Sequence, residues 1–234
     1  MKKKCTKELS PIVFSKKSME FISSCNLNNH RLIWNVTVGK IISVKKEIRQ
    51  HYLKYQKNMC AYCRTHVIHT HGLYWDIEHI IPKDKYSVFL FEPRNLALSC
   101  RHCNSNKSNK KVFGKLFTKI TTYPSDGDIF SIIHPHYDKY STHMDVYLYQ
   151  GKVVYEPKSD KGRNTFNMCN LDRFAHAVIN DVDDVDILRF INNELLKIDV
   201  DDSFPFSPRE ENLMNIISEV KSRIEKKYQN RDFV

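Results

Sequence analysis

The chain has 234 residues, 41% hydrophobic and 12% aromatic, enough for a packed core and too apolar for a disordered chain. Its formal charge is +10, from 37 Lys and Arg against 27 Asp and Glu. No apolar run is long enough for a membrane span, and Met1-Lys-Lys-Lys-Cys5 has no apolar stretch behind it, so neither a membrane nor a secreted protein is expected.

Six glycines disfavour an all-β fold of many tight turns and favour helices. The charge is uneven. Residues 1–60 carry 13 Lys and Arg against 3 Asp and Glu, residues 61–125 carry 10 against 4, and residues 126–234 carry 14 against 20. A basic first half is the footprint of a surface for a polyanion, and nucleic acid is the commonest one. Of seven cysteines, four stand in two Cys-x-x-Cys pairs, leaving Cys5, Cys25 and Cys169 as spare thiols. That usage fits a reduced, cytoplasmic protein with a metal-binding quartet.

In chain order, residues 1–56 form a basic N-terminal region. Residues 18–24 predict a short helix. Leu32, Ile33, Val36, Val38, Ile41, Ile42, Val44, Ile48, Tyr52 and Tyr55 recur at roughly helical spacing from about Val38 on. They predict a basic amphipathic helix that leads into the first cysteine pair. Lys45, Lys46 and Arg49 lie between the apolar positions and are candidates for phosphate contacts, the plainer alternative being a solvated face.

Residues 57–120 form the central region. It opens with Cys60-Ala-Tyr-Cys63 and closes with Cys100-Arg-His-Cys103. Each pair presents two thiolates, and four thiolates complete the tetrahedral shell of a zinc ion with no place left for water. The expected zinc is therefore structural. His66, His69 and His71 follow the first pair, but the four cysteines already satisfy the metal. Between the pairs lie Asp76-Ile-Glu-His-Ile-Ile-Pro82 and Asn95-Leu-Ala-Leu98, and directly after comes Asn104-Ser-Asn-Lys107. Arg101, Lys107, Lys110, Lys111, Lys115 and Lys119, with no acid among them, predict that the last helix runs on as a phosphate-facing arm.

This layout resembles the zinc-ribbon branch of the HNH (ββα-metal) endonucleases: a cysteine pair, an acid-His-x-x-Pro motif, Asn-Leu, then a second cysteine pair followed by Asn-x-x-Lys. The resemblance implies a strand–strand–helix core and metal-dependent hydrolysis of phosphodiester bonds. It makes His79 the general base, Glu78 and Asn104 the ligands of the catalytic metal, and Asn95 the residue that ties down the intervening loop and orients the base. Lys107, one turn beyond Asn104, is placed to face the same phosphate, with a structural lysine as the near-equal alternative. The chemistry stands beside the resemblance. A neutral histidine takes a proton from water near pH 7, and carboxylate and amide oxygens suit Mg²⁺ or Mn²⁺. Asn104, where histidine is common in the family, favours a hard metal over zinc at that position. On an ideal strand Asp76 and Glu78 share a face while His79 points away. Asp76 is therefore the alternative metal ligand, with Glu78 favoured.

Residues 121–234 form a C-terminal α+β region. His134, His136, Asp138 and His143 cluster within ten residues; they suit a metal or a phosphate, or, the preferred reading, packing and hydrogen bonding. This segment is similar to one that follows the HNH core in nucleases of bacterial anti-phage systems, of the Septu and retron-associated type. Val146–Gln150 and Val153–Glu156 predict a β-hairpin across a Gln-Gly-Lys turn. Residues 158–163 read as a polar loop, and Asn170 as the cap of a helix from Leu171. Residues 181–202 hold 8 acids and 2 bases, a solvated face or a strip that competes for the basic surface. Ser207-Pro208 starts a final helix with Leu213, Ile216, Ile217, Val220 and Ile224 as its buried stripe.

The expected fold is α+β and mostly helical: a ββα-metal core braced by a four-cysteine zinc site, helical extensions at both ends and a small β-hairpin. The expected function is that of an HNH endonuclease acting on DNA in anti-phage defence, with structural Zn²⁺, catalytic Mg²⁺ or Mn²⁺, and an ATPase partner. The alternatives are an RNA-cleaving HNH effector and a non-catalytic zinc-ribbon module that only binds nucleic acid.

Overall fold

Gly39, at φ +81°, turns the chain into α3, Lys40–Tyr55, the longest helix among the described residues. Of the periodic set, Ile41, Val44, Ile48 and Tyr52 form its buried stripe, while Val38, Ile42 and Tyr55 are exposed. The computed structural model describes residues 9–67, 74–114, 120–149 and 152–174. Two short helices precede α3: α1, Lys16–Ser23, and α2, His30–Trp34. The Ser15 side chain caps α1, and its hydroxyl donates to Glu47 of α3 over 3.0 Å, tying the two helices together.

The chain divides into two compact units, Met1–Asp145 with Lys158–Asn170, and Val146–Pro157 with Leu171–Val234. The centre of the first is a hairpin and a helix. Strand β1, Trp75–His79, pairs antiparallel with β2, Leu96–Cys100, so that Trp75 faces Cys100 and His79 faces Leu96. Helix α4, Arg101–Lys107, follows β2 directly and packs on both strands, and α3 packs on β2. Gln56 strengthens that contact. Its side-chain oxygen accepts from the Leu98 N–H over 2.7 Å and its amide nitrogen donates to the Leu98 carbonyl over 2.8 Å, as a neighbouring strand would. The mixed fold with a strand–strand–helix core is the expected one.

Helix α4 does not run on as an arm. It ends at Lys107, because Ser108 adopts φ +46° and Lys107 is drawn inward. Val112 and Phe113 then turn into the core, where Phe113 forms an antiparallel bridge with Phe130. The segment read as a polar loop instead holds α6, Asp160–Met168, capped by Ser159. Its buried residues are Gly162 and Thr165, too small and polar to register as an apolar stripe. Asn170, at φ +52°, is the left-handed residue just past α6.

The histidine cluster is structural in its contacts. His134 accepts from the His136 N–H through Nδ1, and its Nε2 meets the Tyr123 hydroxyl at 2.9 Å. His136 bridges the Leu9 and Leu96 carbonyls, each at 2.8 Å. Lys161 donates to the Asp138 carboxylate at 2.9 Å, and His143 meets Ser159 at 2.7 Å beside the short helix α5, Tyr140–His143. Burial pushes His134 and His136 below the usual imidazole range.

The expected hairpin forms from β3, Met144–Tyr149, and β4, Lys152–Pro157, and from Val146 on it belongs to the second unit. Tyr147 donates to Glu156 across it at 2.9 Å, and the Tyr155 ring packs 5.2 Å from that of Phe174. The hairpin turn at 150–151, His69, His71, Lys115, Lys119, the acidic stretch 181–202 and the helix from Ser207 lie outside the described residues. Among the described residues no helix is long and apolar enough to cross a membrane.

Candidate nuclease site and zinc centre

Two tight turns bring the cysteine pairs together. Arg64, at φ +56°, closes the first: its N–H donates to the Cys60 carbonyl, and the Cys60 N–H to that of Thr65. The second pair spans the end of β2 and the first turn of α4. All four sulfurs lie within 4.8 Å of one another. Cys63 and Cys100 are 3.9 Å apart, far from a disulfide and close to the ~3.8 Å edge of a tetrahedron with zinc–sulfur bonds of about 2.3 Å. The Cys100 N–H donates to Cys60 Sγ at 3.3 Å, the kind of bond that steadies a metal-bound thiolate. The donor set therefore fits a structural zinc ion. His66 is exposed and not one of the four. The buried thiol of Cys169 lies against Cys103, a neighbour the spacing did not reveal.

Strand β1 and helix α4 face each other through two matched pairs. Asp76 and Glu78 share one face of the strand, and Asn104 and Lys107 stand one turn apart on the helix. Asn104 Nδ2 donates to Asp76 Oδ2 at 2.9 Å. Lys107 Nζ meets Glu78 Oε1 at 2.5 Å, with Lys107 1% exposed and Glu78 2%. Tyr62 donates to the same Glu78 oxygen at 3.0 Å, and Lys107 also donates to the His79 carbonyl at 3.1 Å. Two expectations change here. Glu78 is committed to Lys107 and Tyr62, and Asp76 is the acid beside Asn104. Lys107 does not face a phosphate, because its ammonium is buried against β1.

His79, at the end of β1, lines the same cleft as Asp76 and Asn104. It is 6% exposed and packs edge-on against Trp34, ring centres 4.5 Å apart. Its Nε2 lies 3.1 Å from the Leu90 carbonyl, which only accepts, so Nε2 carries the proton and Nδ1 the lone pair. Burial, reinforced by the Lys83 and Lys107 charges, pushes its pKa down to about 3. The imidazole is neutral at physiological pH.

The loop from Ile80 to Arg94 is held by Asn95, which is wholly buried. Its Oδ1 accepts from the Ile81 N–H at 2.7 Å, and its Nδ2 donates to the Ile81 and Phe89 carbonyls at 3.1 and 3.0 Å. The next carbonyl, that of Leu90, is the one that holds His79. The loop-tying geometry expected of Asn95 is thus present.

Asp76, His79 and Asn104 open onto one cleft of about 420 Å³, lined also by Trp34, Lys45, Arg49, Lys83 and Asp84. Trp34 and Lys83 carry no motif and were not legible as site residues. Asp84 is held by three neighbours: His30 at 3.0 Å, Arg31 at 3.3 Å and Asn109 at 3.0 Å. Those bonds, that of His30 first, hold its carboxyl well below the usual range. Of the other basic candidates, Lys46, Arg101 and Lys111 are exposed away from the cleft lining. Lys110 donates to the Met168 carbonyl, and Lys115 lies outside the described residues.

Residues 60–110 match the family model for HNH endonucleases. The Septu protein PtuB of Bacillus thuringiensis is 27% identical over 140 residues, which cover 60% of this chain and 47% of that protein. The chain thus spans about half the length of the curated relative it matches. No solved structure matches. The matched segment contains the four-cysteine cluster, the β1–β2 hairpin and α4, and through it this chain is recognised as similar to the zinc-ribbon HNH endonucleases.

Proposed function

We propose that this chain is a divalent-metal-dependent endonuclease that hydrolyses DNA in the cytoplasm as part of a bacterial anti-phage system, with an ATPase partner. The observation that carries the reading is the tautomer of His79. Leu90 fixes its proton on Nε2 and leaves the lone pair on Nδ1, and His79 lines a cleft together with a carboxylate–amide pair and three cations, which supports the reading.

Asp76 and Asn104 are the residues that would hold Mg²⁺ or Mn²⁺, Asp76 through a carboxylate oxygen and Asn104 through Oδ1. Hard oxygen donors on adjacent elements suit these cations. The bound cation would supply positive charge to the phosphate and to the departing oxygen. His79 Nδ1 takes a proton from water, whose oxygen bonds to phosphorus as the P–O3′ bond breaks. The family resemblance implies a 5′-phosphate and a 3′-hydroxyl as products. Glu78 and Lys107 hold β1 in register with α4, and Asn95 holds the loop that fixes His79.

The test is cleavage of plasmid DNA, and of RNA in parallel, with and without Mg²⁺. Wild type is expected to cut DNA only with metal, and His79→Ala to lose the activity. Cleavage confined to RNA would change the substrate. No cleavage of either, alone or with an ATPase partner supplied, would leave a binding module.

A further inference from the structure

We propose that Lys45, Arg49 and Lys83 form a phosphate-holding subsite in the cleft, with the Arg49 guanidinium as the group that grips a backbone phosphate of the bound strand. The inference rests on the nuclease reading for the identity of the anion, and on local charge and geometry for the subsite itself.

The acids lining the cleft offset these cations only in part. Glu78 is taken by Lys107, and Asp84, bonded to His30 and Arg31, attracts Lys83 but is ion-paired with neither Lys45 nor Arg49. Asp76 remains, bonded to the neutral Asn104 amide. The cations are close enough to oppose one another. Burial first, then the charges of Arg49 and Lys83, lower the pKa of Lys45. Lys83 also acts on His79, so the cluster reaches the proposed base. Like charges gathered with too little counter-charge cost stability, and such a cluster suits an anion.

Two further observations separate a built site from a solvated face. Lys45 is held in place: its ammonium donates to the Trp34 carbonyl and lies 5.1 Å above the Trp34 ring, whose edge meets His79. Arg49, one helical turn on, has its Nε buried without a hydrogen-bond partner, and among the described residues its guanidinium enters no ion pair. A buried donor of this kind costs free energy until an acceptor arrives, and a guanidinium offers two parallel N–H bonds to one phosphate. Lys46, its near neighbour in sequence, is exposed outside the cleft and serves as a control.

The experiment uses the full chain without divalent metal. Both tryptophans, Trp34 and Trp75, line the cleft, so inorganic phosphate is titrated against tryptophan fluorescence. Wild type should respond saturably. Arg49→Gln should weaken phosphate about tenfold or more, Arg49→Lys less, and Lys46→Gln not at all. For a DNA oligonucleotide, the slope of log affinity against log salt should fall by about one in Arg49→Gln. Thermal denaturation separates ligand from scaffold, since Arg49→Gln should leave the melting temperature unchanged or raised by relieving repulsion. Equal losses in Lys46→Gln and Arg49→Gln, no saturable phosphate response, or a lowered melting temperature in Arg49→Gln would each overturn the subsite. Phosphate binding lost in Arg49→Gln without any cleavage by wild type would sink the nuclease reading and leave the subsite standing. Metal-dependent cleavage unaltered by Arg49→Gln would do the reverse.

Discussion

The Glu78 carboxylate and the Lys107 ammonium meet at 2.5 Å almost out of reach of water, and they join β1 to α4. A buried ion pair loses heavily when one partner is removed, since the other charge is left uncompensated. Lys107→Met and Glu78→Gln should each destabilise the fold by about 3–5 kcal/mol. The double variant Glu78→Gln/Lys107→Met should recover a good part of that loss. Denaturant midpoints of the three variants check it. Equal destabilisation of the double variant and the sum of the singles would remove the coupling.

Asp76 differs from Glu78 in being bonded, among the described residues, to the neutral Asn104 amide rather than to a buried cation. Asp76→Asn should therefore fold with a stability within about 1 kcal/mol of wild type, since surface-facing exchanges outside packed networks cost little. Its metal-dependent cleavage should be lost. Manganese binding followed by electron paramagnetic resonance gives a readout besides activity: Asp76→Asn should weaken Mn²⁺, and Glu78→Gln, where folded, should weaken it less. The reverse order would return Glu78 to the metal.

The contrast between these two acids marks how far sequence reasoning reached. The cysteine spacing, the position of His79, and Asn95 as the anchor of the intervening loop were legible, because each depends on short-range motif geometry. Strand alternation also placed Asp76 and Glu78 on one face. Which of the two stays available depends on Lys107 and Tyr62, and the Tyr62 contact joins residues sixteen apart in the chain. The end of α4 was illegible for a similar reason. Lys110 and Lys111 continue a helical charge pattern, but burial of Lys107 and the left-handed Ser108 override it. Helix α6 escaped because its buried face is Gly162 and Thr165, although Ser159 was a readable cap.

The low pKa of His79 has a stability consequence with a definite sign. The folded state holds the imidazole neutral to about pH 3, whereas the unfolded chain protonates near the ordinary value of about 6.5. The unfolded state therefore binds more protons between these values. The contribution is fully present above pH 6.5 and is lost as pH falls toward 3, on the order of 5 kcal/mol across the whole window. Unfolding free energies at pH 7, 5.5 and 4.5 should show wild type losing stability faster than His79→Ala. The cleavage rate should show no inflexion near pH 6.5 from this residue.

The two metal sites should separate experimentally. The thiolate cluster belongs to the fold, so zinc removal should act on structure, while the Asp76–Asn104 site should exchange freely. Purified protein is expected to carry one zinc per chain. Brief chelation that strips Mg²⁺ should abolish cleavage reversibly. Chelation strong enough to release zinc should change the circular dichroism, and Mg²⁺ alone should not restore activity. Cys103→Ser should behave like the zinc-stripped protein at all Mg²⁺ concentrations.

Asn95 offers the most direct test of positioning without contact to the reacting atoms. Its side chain makes three buried hydrogen bonds, to the Ile81 N–H, the Ile81 carbonyl and the Phe89 carbonyl. Truncation leaves those backbone groups unsatisfied, at about 1–3 kcal/mol for each group that finds no water. Asn95→Ala should thus destabilise the fold and free the loop that carries the Leu90 carbonyl. With that carbonyl displaced, the proton of His79 is no longer confined to Nε2, and part of the population carries it on Nδ1, where it blocks the base. At a temperature where the variant remains folded, kcat should fall by more than tenfold while KM changes little. Nitrogen NMR of the imidazole should show the Nδ1–H tautomer appearing in Asn95→Ala. A lowered stability with kcat and tautomer unchanged would reduce Asn95 to a scaffold residue.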